Sequence, residues 1–450
     1  MWPAVGVGVW TWLSLGNPHR ELYGTLTHQP LVAMIAGVTI VSWFVLERRR
    51  TLVSTPLVLF SLALLAVLTI AAFNSLAPTI SWQLYDRHWK TLALFFLFYL
   101  CLDQKNRINS LIAVIVLSLA YWGVKGGLIF IVSAGQHQFS GPGQSMIGDR
   151  NHLAVALVMV LPLVLYLAKA YGTHPLLRWG LYGVAALTAL AAVGTYSRGG
   201  TIALIVVVGL LALRARRRVF GILFGVVSLI GVVVLVPQEF VERMASIQTA
   251  AEEDKSFQNR LVSWYVYFQA GLTRPLTGVG PGAAQYGEIY FRYAPPEEMF
   301  GHLPDRGYAA HSLYFQLWGE YGIVGFAVYM GFILYTLLSL RRTRRLARRL
   351  GEDHWGGELA NALFIAIAGF CVGAAALSLA FYDGFLLLLA LAAGVRELVE
   401  QELREAGLAE AAPARGHGRA RAAVRSANGD RRALSPRMHR ASFGGGRRPL

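Results

Sequence analysis

Six short stretches of this 450-residue chain gather ionisable and anion-binding side chains in otherwise apolar surroundings. They are "NPHRE" (17–21), "YDRHWK" (85–90), "GDRNH" (148–152), "TYSRGG" (195–200), "NRLVSW" (259–264) and "GYAAHSLYFQLWGEYG" (307–322). His311, in the last stretch, precedes a long apolar run. An imidazole ordinarily titrates near pH 6.5 and can take a proton at neutral pH, and a helix N-terminus favours its neutral, basic form. A general base and a capping or interfacial histidine both fit that position. Glu320, nine residues on, falls on the opposite helix face about 13 Å deeper, so it cannot orient His311 directly.

The arginines suggest an anion. Arg150 and Arg198 each precede an apolar run, where exposed N–H groups and the positive end of a helix dipole favour negative charge. Guanidinium groups grip phosphate oxygens through paired hydrogen bonds. Each arginine alone could be a lipid-headgroup anchor or pair with an acid such as Asp149. Arg150, Arg198 and Arg260 together point to an anionic ligand at a membrane surface, with Arg87, Asp149, His152 and Trp264 in support. Lys125 lies inside the apolar stretch "YWGVKGGLIF", where an ionisable group is a functional candidate; pairing with Glu320 or Asp383 is the competing structural reading. Nearby Gly123, Gly126 and Gly127 would admit a neighbouring backbone. There is no GxSxG elbow, HExxH zinc site, Walker A loop or Asp-x-Asp pair. Arginines with a histidine, and no paired carboxylates, point away from metal chemistry.

The elements that must position these residues are membrane helices. The chain is 55% hydrophobic and 15% charged, against about 25% charged in soluble domains. Continuous runs such as "LIAVIVLSLAYWGV" exclude a barrel of short alternating strands. Twelve apolar segments are predicted, at 3–16, 30–47, 55–73, 89–102, 108–134, 152–169, 177–195, 200–213, 219–236, 312–340, 358–380 and 383–399. The fold class is therefore all-α and polytopic, with about twelve transmembrane helices. The first segment is short for a full crossing and has no charged leader to mark it as a removable signal.

Basic clusters at 47–50, 103–107, 169–178, 214–218 and 341–349 follow alternate crossings. They orient both termini toward the cytoplasm and leave 17–29, 74–88, 135–151, 196–199, 237–311 and 381–384 outside. The large loop 237–311 caps the outer face, with a helical stripe over 259–272. Its acids, at 252–254 and 297–298, read as solvated charges. Residues 401–450 carry eleven Arg against four Asp and Glu and read as a disordered cytoplasmic tail near anionic lipid, with no folded nucleic-acid motif. Cys101 and Cys371 read as packing residues. The domains are thus 1–400 and 401–450.

In order and spacing, these motifs resemble the O-antigen ligase/polymerase superfamily of bacterial membrane glycosyltransferases. "WTWLSLGNPHR", "YWGVKGGLIF" and "GPGQSMIGDRNHLA" resemble its O-glycosylation ligase branch. The resemblance implies a metal-independent, inverting transferase of the bacterial inner membrane with a periplasmic active site and no cofactor. The donor would be a glycan on undecaprenyl pyrophosphate, and the acceptor a hydroxyl of lipid A–core oligosaccharide in lipopolysaccharide assembly. His311 would be the general base, and Arg198, Arg260 and Arg150 would hold the pyrophosphate. A polymerase or a protein O-oligosaccharyltransferase would share the donor half. A lipid-linked sugar transporter would need an internal repeat and midplane charges; Lys125 is the one feature in its favour.

Overall fold

Helices open where proline pre-sets the backbone and end where the apolar run gives out. The computed structural model describes residues 3–21, 31–46, 56–214, 255–300 and 303–408. In chain order the helices are α1 (Pro3–Gly16), α2 (Leu31–Leu46), α3 (Pro56–Phe73), α4 (Pro78–Leu100), α5 (Lys105–Val132), α6 (Arg150–Ala170), α7 (Pro175–Gly194), α8 (Arg198–Arg214), α9 (Lys255–Thr273), α10 (Gly287–Arg292), α11 (Glu297–Phe300), α12 (Leu313–Ala347), α13 (Trp355–Gly373) and α14 (Asp383–Glu405). Proline starts α1, α3, α4 and α7, at the position where its missing N–H is not needed. Among the described residues there is no strand.

Eleven of the twelve apolar segments coincide with a helix; the segment 219–236 lies outside the described residues. Among the described residues, six helices are long and apolar enough to cross a bilayer: α3, α5, α6, α7, α12 and α13, the last counted through Ala376. The chain is a multi-pass membrane protein on that basis. α6 and α13 are mostly buried, as is α14 from Gly384 to Val395, whereas α3, α7 and α12 expose much of their apolar surface. A bundle in lipid carries apolar side chains both inside and out. α5 and α7 approach backbone to backbone: a Cβ on Gly127 would lie 2.3 Å from the Leu187 carbonyl oxygen.

Two expectations are corrected. α4 begins at Pro78, so most of the predicted loop 74–88 is helical; the Asp86–Lys90 pair, at 2.5 Å and one turn apart, supports these polar turns. The predicted tail starts helical, since α14 runs to Glu405, and the first compact unit ends at Ala406. Residues 409–450, like the acids at 252–254, lie outside the described residues.

α12 is broken. Gly322 has φ 65° and ψ −168° inside it, a backbone that glycine alone adopts readily. The loop after α9, "RPLTGVGPG" (274–282), fills the interrupted hydrogen-bond ladder. Val279 N–H donates to the Gly319 carbonyl at 2.9 Å, Gly280 N–H to Glu320 at 3.1 Å, and Ile323 N–H to Pro275 at 2.7 Å. The break thus joins a short outer helix, 313–321, to the crossing that follows.

Candidate active site at one end of the bundle

His311 sits two residues before α12 with φ 47°, a left-handed conformation that costs a non-glycine residue on the order of 1 kcal/mol. Its backbone N–H donates to Ser378 Oγ at 2.9 Å. Burial lowers the imidazole pKa to about 4, with the nearby Arg260 guanidinium adding to the effect. The ring is therefore neutral at physiological pH. The expected cause was a helix N-terminus; burial is the main one.

Arg260, His152 and Asp149 all act electrostatically on His311, and Asp149, Arg260 and Arg87 act on His152. Four of the six sequence stretches therefore converge. Asp149 proves to be the N-cap of α6, accepting from Asn151 N–H at 2.8 Å and His152 N–H at 3.3 Å, a standard means of satisfying a helix start. The His152 ring bonds the Met146 backbone. Gln138, with its amide oxygen turned to the guanidinium, accepts from Arg150 Nε at 3.2 Å.

Arg150 and Arg198 begin neighbouring helices. A Cβ on Gly200 would lie 2.4 Å from the Ala154 Cβ, so α6 and α8 touch within about one turn of both arginines. Ser197 Oγ accepts from Gly200 N–H at 3.1 Å and caps α8. Tyr196, with φ 56°, makes the turn and bonds the Gly135 carbonyl. The segment 374–382 ties this pair of helix starts to His311: Ala376 lies against Gly199, and Ser378 holds the His311 backbone.

On α9, Trp264 stacks on Phe315 with ring centroids 5.5 Å apart. Its Nε1, and Oδ1 of Asn259 beside Arg260, are buried without a hydrogen-bond partner. An unmet donor and acceptor at the same helix are what a polar ligand would satisfy.

Lys125 does not join the site. It pairs with Glu21 at 2.6 Å and lies 4.9 Å from the Trp122 ring. Its acid is neither Glu320 nor Asp383. Lys125 stands seven residues from the end of α5, about 10 Å along its axis, within reach of the loop after α1. Glu320 is buried, contacts Gln316 at 3.4 Å and receives the Gly282 backbone; as expected, it does not meet His311. Asp383 accepts from Thr91 Oγ1 at 2.5 Å and from Ser14.

Sequence reasoning missed Ser378 and the cavity beside Arg87. That cavity, about 540 Å³, has Arg20, Arg87, Lys90 and Asp383 among its polar lining and Ile40 and Leu94 among its apolar lining. Among the described residues, no group of three or more His, Cys, Asp or Glu could hold a metal ion.

A multi-pass helical protein with a neutral imidazole near the Arg260 guanidinium at one end is thus defined. Residues 183–330 match the family described as O-Antigen ligase, which supports placing that region in the O-antigen ligase superfamily. Residues 1–173 match a second family, one of unknown function (DUF5935). The first region carries Arg198, Arg260, Trp264 and His311, and the second Arg87, Asp149, Arg150 and His152, so the site is assembled from both. No curated protein matches the chain.

Proposed function

We propose that the protein is an O-antigen ligase of the bacterial inner membrane. It would transfer a glycan from undecaprenyl pyrophosphate to a lipid A–core hydroxyl with inversion. The observation that carries this reading is the neutral His311 beside Arg260, within the region 183–330 that matches the O-antigen ligase family. His311 accepts the hydroxyl proton as general base. The freed oxygen attacks the anomeric carbon as the bond to pyrophosphate breaks, and undecaprenyl pyrophosphate leaves with its charge balanced by Arg198, Arg260 and Arg150. Arg87 extends this cationic surface toward the 540 Å³ cavity, whose apolar lining suits part of a polyprenyl chain. The reaction needs no cofactor, and the reading assigns no step to a metal ion.

In this reading the chain has twelve crossings over 1–400. The site and the loop 237–311 face the periplasm; both termini and the tail 401–450 are cytoplasmic.

The test is transfer by purified protein from an undecaprenyl-pyrophosphate glycan to three acceptors: lipid A–core, a second donor glycan, and protein. Product on lipid A–core is expected, and His311→Ala should abolish it while the protein remains monodisperse. Product only on a second glycan would make the protein a polymerase, and only on protein an oligosaccharyltransferase. Substantial transfer by His311→Ala would remove the general base.

A further inference from the structure

The end of the bundle opposite His311 carries a second, separate cluster. α8 runs from Arg198 to Arg214, about 25 Å, so its last residue lies far from the candidate active site. There Arg214 Nη1 donates to Asn361 Oδ1 at 2.9 Å. The Arg214 guanidinium lies 3.9 Å from the Phe364 ring centroid, and Arg341 lies 5.0 Å from the same ring. Two cations thus share one aromatic ring.

The cavity they enclose, about 200 Å³, is lined by Arg214, Arg341, Arg344, Arg345 and Arg348 with Leu340, Ala360 and Phe364; no carboxylate is among its lining residues. Arg341 and Arg344 are close enough to Arg214 for their charges to oppose it. Of the acids nearby, Glu358 and Asp353 lie 2.8 and 3.5 Å from Lys169 Nζ, and Glu352 lines an adjoining cavity with Arg214, Arg344 and Arg348. Glu358 acts on Arg344, and the five guanidinium groups of this cavity outnumber the three carboxylates of the adjoining one. Unbalanced arginines around a walled space are the chemistry of a phosphate site.

The surface leading to this cavity is apolar. Leu334 and Leu338 are exposed on α12, and with Arg341 and Arg345 their spacing of four, three and four places all of them along one helix face. α12 is one of the helices able to cross a bilayer. An amphiphile with a phosphate at one end and hydrocarbon at the other matches that face; a soluble phosphate would leave the leucines unused. Basic pockets between helices are a recurrent mode of headgroup binding.

We propose that the arginine cavity between α8, α12 and α13 binds the phosphate headgroup of an anionic phospholipid whose acyl chains lie along Leu334 and Leu338. The site is independent of the transfer reaction. It would hold a structural lipid where three helices leave the bilayer.

The full-length protein, stripped of lipid in neutral detergent, can be titrated with phosphatidylglycerol, phosphatidylcholine or glycerol phosphate and followed by native mass spectrometry. One phosphatidylglycerol should be retained in preference to phosphatidylcholine, and glycerol phosphate should not bind at the same concentration. Arg214→Gln with Arg341→Gln should weaken phosphatidylglycerol binding about tenfold, from the lost charge-assisted contacts. Arg214→Lys keeps the charge but loses the planar stack, and should weaken binding by a smaller factor. Equal retention of the two lipids by the unaltered protein would overturn the proposal. So would unchanged binding in the double variant or, should that variant not fold, in Arg214→Lys. Glycerol phosphate binding as tightly as the lipid would make this a soluble-anion site instead.

Discussion

At the residue scale, the useful property of His311 is that it stays unprotonated. Its ordinary pKa of about 6.5 falls to about 4, through burial first and Arg260 second. The folded state therefore binds fewer protons than the unfolded state between those values. The associated stability is present above the unfolded value and diminishes as pH falls toward 4. For transfer, the acid limb of kcat/KM should lie near pH 4, well below the usual imidazole range. Arg260→Gln should move that limb upward only part of the way, because burial remains. A limb near 6.5 in the unaltered protein, read from a pH–rate profile, would contradict the assignment. Bound pyrophosphate places an anion beside the ring, so the limb of kcat should lie above that of kcat/KM.

In the proposed reaction the arginines act on the leaving group. Arg198→Ala or Arg260→Ala should reduce transfer on the order of 10²-fold, as loss of one charge-stabilising donor does, and should weaken donor use. A steady-state titration of the lipid-linked donor checks this; unchanged donor dependence would make them interfacial anchors. Arg198 and Arg260 stood out in the sequence because arginines in an apolar chain need a reason. Ser378 was not, since its role is to receive one N–H from a residue 67 positions away. The Lys125 partner was missed for the same reason: Glu21 is 104 residues distant.

At the scale of elements, most helices could be read from apolar runs, because burial in lipid demands continuous hydrophobicity. α4 escaped in part: its first three turns are polar, and side-chain pairs and packing hold them rather than hydropathy. The break in α12 also escaped. "WGEYGIVG" reads as uninterrupted helix, and only the loop 274–282 explains why Gly322 can leave it. A Cβ at that position would meet Pro275 O at 2.4 Å. Gly322→Ala adds that clash to roughly 1–2 kcal/mol for a left-handed alanine. Thermal unfolding in detergent should show a clear loss of stability, whereas Gly180→Ala on α7, with open space around its Cβ, should be neutral or slightly stabilising. Equal midpoints for the two variants would show that the break is not a structural requirement.

For the whole molecule, the break separates two mechanical tasks. Residues 323–340 form 18 uncharged, mostly apolar positions before Arg341, about 27 Å of helix, close to the roughly 30 Å of hydrocarbon they would cross. Residues 311–321 are fastened to the 274–282 loop and Ser378, and Ile323, the first residue of the crossing, bonds the same loop at Pro275. The break at Gly322 would then let the crossing beyond Ile323 tilt as the bilayer thickens or thins while the imidazole keeps its position. Transfer measured in vesicles of short- and long-chain lipids should therefore vary by no more than about twofold, since mismatch is absorbed by tilt. A steep dependence on chain length would mean that the crossing and the catalytic end move as one body. In its natural setting such a break would let the same active site work in membranes whose thickness changes with growth temperature and lipid supply.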